Sequence, residues 1–458
     1  MTLSRPLLPL APIVTLWLLL PQLAAQELTL EFQLLRMKRE VADFLEKRLL
    51  EGGDPAIEAE RKLPGLITAR TIESVTSHRF KCKENRRTES RSSPDDIKLE
   101  GGETIPDGFL FEVEPLTGAD GTVHLTFFAT HAIASPQTPP HILRVLNSVS
   151  LYPDQLNFLQ RCSTPAGELV LIVKPSPPEN AAPSATPGSL FKTIHASAKL
   201  YKLADVAARD ALLERAKQDL AGAESALAKD GILIDAVGAP VTSGQRQEVR
   251  SFVPDFEEAE GMVYEDGTNL QFELTAGPAG QRIDVIADLA HHSATGKRTR
   301  ADGGERTDQR RGIHCNAKQE IAAGDLSLFP CDEEFVPGGG VRQPAPYILA
   351  LRSRCYGEFA DPPSPRSPIP AGDPAATVSR VYAVPPSFLR LLQEKNLKPP
   401  NAQAGLIRRA TAKEILEASG IDFPERTRAV FIAQKSELVM LHNRAAHQKL
   451  EELLAMHP

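Results

Sequence analysis

The sequence predicts an α+β, β-rich fold: two tandem antiparallel-sheet modules, each with a β-α opening, then a small β-α-β-β-α two-layer domain. Three observations carry this reading. A hairpin-like stretch is written twice, as GFLFEVEPLTGADGTVHLTFFATH at 108–131 and GTNLQFELTAGPAGQRIDVIADLAHH at 267–292, about 160 residues apart. Two Pro-rich stretches, KPSPPENAAPSATPGS at 174–189 and EFADPPSPRSPIPAGDPAA at 358–376, read as extended linkers, because proline removes backbone donors and few side chains there can build a core. The last block has a strand and helix rhythm shared with neither of the others.

The elements follow in order. Block one, 26–173, opens with strand-like ELTLEFQLLRM and continues with KREVADFLEKRLL at helical spacing. Block two, 190–357, opens with TIHASAKLYKL and continues with the helical ADVAARDALLERAKQDLAGAESALAKDG. LITARTIESVTSHR (66–79) then matches LIDAVGAPVTSGQR (233–246), with Val75-Thr76-Ser77 and Val241-Thr242-Ser243 in the same place. In the hairpin, Phe109, Phe111 and Val113 point one way and Leu110, Glu112 and Glu114 the other. Its partner strand alternates Val123, Leu125 and Phe127 with Thr122, His124 and Thr126. The second copy alternates Leu270, Phe272 and Leu274 with Asn269, Gln271 and Glu273. Such alternation predicts a sheet with one buried and one wet face.

HAIASPQTPPH and HSATGKRTRADGGERTDQRRG come next as polar insertions, and both blocks close with more β-like sequence. In the third block, 377–458, VSRVYAVPPSFLRLL opens strand-like. ATAKEILEASG reads as a helix capped by Thr411 and stopped by Gly420. RAVFIAQ and SELVMLHN read as a β-pair. Ala446, Leu450, Leu453 and Leu454 share one face of a closing helix.

The first 25 residues carry Arg5 as their only charge, an apolar run to Leu20, and small residues at Ala24 and Ala25, the pattern of a cleaved export signal. The run is short, and Pro9 and Pro12 break it, against the ~20 apolar residues a membrane helix needs. Trp17, the only tryptophan, would leave with it. A net charge of −7 excludes a nucleic-acid binder, which is basic. Five cysteines, Cys82, Cys162, Cys315, Cys331 and Cys355, leave at least one thiol unpaired in the monomer. Three of them fall between 315 and 355, which allows a local disulfide in an oxidising compartment. Buried, inert thiols are the equal alternative.

No nucleophile elbow, zinc-protease helix, phosphate loop or Cys-x-x-Cys pair occurs. His291, His292, His314 and Cys315 come closest to a zinc set. Their spacing fits no site type, and an extended chain sends His291 and His292 to opposite faces, so solvent-facing strand ends are expected. Asp332, Glu333 and Glu334 lack the alternating ligands of a calcium loop and read as solvated. The basic 296–312 stretch reads as a flexible loop, and His442 and His447 as facing water. No catalytic, cofactor-binding or metal residue is expected, and no cofactor.

VTSGQRQEVRSF (241–252), GTNLQFELTAGPAGQRIDVIADL (267–289) and the strands at 317–329 and 345–352 resemble the core of the secretin domain; VTSHRFKCKE (75–84) carries the likeness more weakly. Secretins are the ring-forming outer-membrane channels of bacterial type II and type III secretion and of type IV pili. Residues 415–454 are similar to the small ring-building domains of secretins' periplasmic half. In secretins such domains precede the channel domain, whereas here the block follows. The Pro-Gly turn is only echoed by VPGGGVRQPAP (336–346), and the strands are charged where a membrane barrel needs an apolar outer band. The resemblance therefore implies a non-enzymatic exported scaffold or accessory component, periplasmic or outer-membrane-associated. It would act by self-assembly or by contact with other envelope secretion proteins, with at most peripheral membrane association. The alternatives are a true secretin-type channel subunit and a metal-dependent envelope hydrolase using the 291–334 cluster.

Overall fold

In the computed structural model the described residues are 27–93, 96–98, 104–117, 122–133, 141–164, 166–176, 193–257, 262–299, 305–336, 342–356, 377–397 and 410–456. The leader at 1–25, the 358–376 stretch and all of the 174–189 stretch beyond 176 lie outside them.

The first repeat runs β1 (Glu27–Met37), α1 (Arg39–Glu51), α2 (Gly53–Thr68), β2 (Ile72–Lys83), β3 (Thr88–Arg91), β4 (Asp96–Lys98) and β5 (Thr104–Pro106). It continues with β6 (Gly108–Thr117), β7 (Val123–Ile133), β8 (His141–Leu151), β9 (Asn157–Thr164) and β10 (Gly167–Ser176). The second repeat runs β11 (Thr193–Lys202), α3 (Val206–Gln218), α4 (Leu220–Asp230), β12 (Ile232–Thr242) and β13 (Arg246–Glu257). After these come β14 (Met262–Ala276), β15 (Arg282–Thr299), β16 (Glu305–Ala322), β17 (Leu326–Val336) and β18 (Gln343–Tyr356).

The expectation of two separate sheet modules does not hold. Both repeats join one 16-stranded antiparallel sheet, in the order β2-β1-β10-β9-β12-β11-β18-β17-β16-β15-β14-β13-β8-β7-β6-β3. The second repeat stays contiguous and is inserted between β9 and β8 of the first. Its edge strand β12 pairs with β9 (Val237↔Cys162, Gly238↔Arg161), and its other edge β13 pairs with β8 (Glu248↔Leu146 through Phe252↔Ile142). The physical reason is the cost of unpaired edges: backbone N–H and C=O groups on a buried strand must find partners, and each repeat supplies what the other lacks.

The sheet curls until its ends nearly meet. Between β2 and the β3–β6 end the seam is bridged by side chains, with His78 Nδ1 and Ser90 Oγ 3.4 Å apart and the His78 and Phe109 rings 5.7 Å apart. The alternating apolar residues of both hairpins all turn inward, as expected. Phe32 of β1 meets Phe111 of β6 with ring centroids 3.7 Å apart, and Phe111 stacks on Phe127 of β7 at 5.3 Å. One apolar core therefore runs through both repeats, from Leu30 and Phe32 to Val285 and Leu351.

The helices lie on the outside. α1 and α2 cover Leu35, Met37, Phe158, Val170 and Ile172, and α3 and α4 cover Leu203, Ile348 and Ala350. A small β4–β5 pair closes a separate cluster of Ile105, Ala132, Ile142 and Phe252.

Two local readings also change. Thr76 lies opposite Leu34, whereas Thr242 lies opposite Thr193 at the far end of its ladder, so the two Val-Thr-Ser triplets do not correspond. The basic 296–312 stretch, read as a loop, instead lengthens the β15–β16 hairpin, with pairing out to Thr299↔Glu305. Backbone pairing there satisfies donors that a loop would leave to water.

The third block runs β19 (Val378–Ala383), α5 (Phe388–Asn396), α6 (Ala412–Ala418), β20 (Arg428–Ile432), β21 (Glu437–His442) and α7 (Arg444–Ala455), with its own sheet ordered β19-β21-β20. SFLRLL, read as part of a strand, forms α5 instead. Pro385 and Pro386 end the strand, and Phe388 and Leu392, four apart, bury one helical face. Thr411 caps α6 in a capping box with Glu414, and Gly420 follows it at φ +87°. Ala446 and Leu450 are buried beneath α7, with Leu453 and Leu454 packed alongside.

His442 and His447 are buried rather than facing water. His447 Nδ1 pairs with the Tyr382 hydroxyl at 2.7 Å, and its Nε2 pairs with the Val378 carbonyl at 2.9 Å. His442 Nε2 reaches the Asp422 carbonyl at 2.6 Å. Each ring nitrogen finds a partner inside, which removes the cost of leaving water.

Candidate functional site

The strands place the residues singled out from the sequence in three groups. His291 lies opposite Thr268 and meets its hydroxyl at 2.8 Å. His131 occupies the same place in the first repeat, opposite Phe109, with Nδ1 3.2 Å from the Gly108 carbonyl. These two histidines are copies of one strand end, and neither faces solvent freely. His292 and His314 come together on the other face, rings 5.9 Å apart, with Glu334 Oε2 3.8 Å from His314 Nε2. Among the described residues no group of three or more His, Cys, Asp or Glu is arranged to hold a metal ion. Glu333 and Glu334 pair with Arg311 (3.3 Å) and Arg342 (3.5 Å) on the paired end of β17. All five cysteines are free thiols, and only Cys355 is not fully buried.

Burial drives His131 and His291 each down to about 4, against the Gly108 carbonyl in the one case and aided by His292 in the other. The unfolded chain, with histidines near 6.5, therefore binds more protons than the folded one between pH 4 and 6.5. Stability is complete above that window and falls as pH drops through it. The urea midpoint is expected to be lower at pH 5 than at pH 7.5, with the drop reduced in His131→Gln/His291→Gln. An equal drop in that double variant would assign the effect elsewhere.

A buried polar cluster sits where the repeats meet. Arg161 of β9 donates from Nη1 to Glu46 Oε2 of α1 at 2.8 Å and also to Asp43. Its Nε donates to Glu168 Oε2 of β10 at 2.9 Å. Ser163 Oγ and Arg39 Nε donate to the other Glu168 oxygen, at 2.9 and 3.2 Å. From the second repeat, His195 of β11 brings Nε2 within 2.6 Å of Glu46 Oε1. The His195 ring lies edge-on to Phe158 and Tyr356, at 5.8 and 6.3 Å.

Gly238 of β12 makes this approach feasible, since an added Cβ would stand 2.7 Å from Glu46 Oε1. Burial pushes the Glu46 carboxyl up, but His195 and Arg161 outweigh it and hold the group down to about 2. Glu168 is likewise held low, burial notwithstanding, by Arg161. The ladder beside it is reinforced by Asn147 Nδ2, which donates to the Pro240 carbonyl at 2.8 Å, and by Gln247 Nε2, which donates to Gln160 at 3.2 Å.

The sequence reading missed this cluster. Its signal is two polar residues, Gln160 and Arg161, inside a strand that is buried over 157–162, and a histidine in the apolar opening of the second repeat.

The Ser-Gly of VTSGQR serves the third block. Ser243 Oγ donates to the Ala433 carbonyl at 3.0 Å and accepts from the Ala276 N–H at 3.0 Å, while Ser436 donates to the Ala276 carbonyl. Arg390 of α5 grips Asp284 of β15, with Nε 3.0 Å from both carboxylate oxygens and Nη2 2.6 Å from Oδ1. Ser387 bonds to Glu320 of β16. The small domain is thus docked on the turn end of the second repeat by charge-assisted contacts.

Together these features define a protein built on antiparallel sheet, with a buried polar cluster at the junction of its repeats. Comparison with protein families, curated proteins and solved structures finds no match for the chain. Among the described residues no helix is long and apolar enough to cross a membrane.

Proposed function

We propose that this protein is an exported, non-enzymatic scaffold that assembles with further copies of itself by sheet-edge addition in the cell envelope. The observation that carries the reading is the way its own repeats combine. The second repeat adds its edges β12 and β13 to β9 and β8 of the first, ladder to ladder, and locks them with Glu46, Arg161 and His195. Edge addition is a general recognition mode in which main-chain bonds supply affinity and side-chain pockets supply register. Among the described residues β2 and β3 each carry a ladder on one side only, with β1 and β6. β2 bears exposed Arg79, Lys81 and Lys83.

The leader-like first 25 residues support export. The inward apolar and outward polar pattern of the described strands supports a scaffold over a pore, since a membrane barrel carries its apolar band outside. Sedimentation velocity of the full chain over a wide concentration range tests the reading. Mass is expected to rise with concentration. A monomer at every concentration would overturn it.

A further inference from the structure

We infer that Cys315 and Cys331 form a cross-strand disulfide that staples β16 to β17 at the end of their ladder. The inference rests on the register and not on the proposed assembly. β16 and β17 pair from Arg310↔Val336 to His314↔Asp332, and the next step of the same ladder sets Cys315 against Cys331. Directly opposed residues in an antiparallel pair have Cα atoms about 4.5–5.5 Å apart, inside the range of about 4.4–6.8 Å that disulfides span. Both side chains lie on the inner face, buried in the same apolar core.

No other pairing competes. Cys82 stands opposite Leu28, Cys162 opposite Leu169 and Val237, and Cys355 opposite Ile194. The ladder between β16 and β17 stops at the cysteines. On its other side β17 pairs with β18 both before and after Cys331, from Leu326↔Arg352 to Pro330↔Ile348 and again at Asp332↔Pro344 and Glu333↔Gln343. The staple therefore sits between the end of the β16–β17 ladder and the turn at 323–325 that joins the two strands.

The chemistry is thiol–disulfide exchange with a low-molecular-weight disulfide. One cysteine, as thiolate, attacks a sulfur of the reagent, and one reagent thiol leaves. The second cysteine then displaces the other reagent thiol and closes the Cys315–Cys331 bond. Two electrons and two protons pass from the protein to the reagent, which ends as two thiols. The neighbouring Cys331 and burial both disfavour the Cys315 thiolate in the closed fold, so exchange proceeds when this end of the sheet opens or before it has folded.

The test holds the full chain in a mixed oxidised and reduced glutathione buffer until its thiol content is constant, then alkylates it under acid-quenched denaturation. Of the five thiols, three are expected to remain alkylatable, with a linked peptide pair containing Cys315 and Cys331. The oxidised chain should melt at a higher temperature than the reduced chain, and Cys331→Ala should abolish that difference. Five alkylatable thiols, or a linked pair other than 315–331, would overturn the inference even if the alanine variant failed to fold.

Discussion

Replacing Arg161 with methionine is expected to cost the fold about 3–5 kcal/mol, the usual loss when one partner of a buried ion pair is removed. Arg161 is 5% exposed and serves three carboxylates, Asp43, Glu46 and Glu168. Without it Glu168 keeps only Arg39 and Ser163, and Glu46 keeps only His195. The damage should be repaired in large part by Glu46→Gln and Glu168→Gln on the same chain, because the triple variant leaves no stranded buried charge.

Urea unfolding at pH 7 measures both effects, and pH supplies an independent control. The Glu46 carboxyl is held down to about 2 from 4.5, so its favourable contribution is complete above pH 4.5 and lost as pH falls towards 2. The gap between wild type and Arg161→Met should therefore narrow in acid. A variant as stable as wild type at pH 7 would show that the cluster does not hold the repeats together.

Phe111→Ala should be as costly, about 3–5 kcal/mol, by transfer and cavity terms together. Phe111 is fully buried between Phe32 on β1 and Phe109 and Phe127 on its own side of the core. Removing it empties the contact through which the two walls of the curled sheet meet. Leu146, 47% exposed, provides the control: its change to alanine should stay within about 0.5 kcal/mol. One apolar core spans both repeats, so both should unfold in a single transition that Phe111→Ala shifts as a whole. Two transitions within 27–356, with only the first shifted, would restore the picture of independent modules.

Several elements were legible because their information is local. Phe109, Phe111 and Val113 alternate with Leu110, Glu112 and Glu114, and period two alone assigns that face to the core. Thr411 with Glu414, and Gly420 after them, write both ends of α6 in chain-neighbouring residues. SFLRLL was misread because its short apolar run fits a strand as well as a helix, and the burial of Phe388 and Leu392 against the third block's own core decided between them. The histidines at 442 and 447 looked solvent-facing because their partners, Asp422, Tyr382 and Val378, are brought to them only by folding.

The sequence by itself determined the inward faces of the two hairpins and both ends of α6, since each depends on side-chain periodicity or capping chemistry within a few residues. The tertiary structure alone decided that β12 and β13 enter the first repeat's sheet, and that Glu46, Arg161 and His195 meet behind that junction. The alternation of a strand states which face is apolar and is silent about its edges. Edge partners are chosen by whichever backbone groups remain unsatisfied once the chain has curled, and those groups are far apart in sequence.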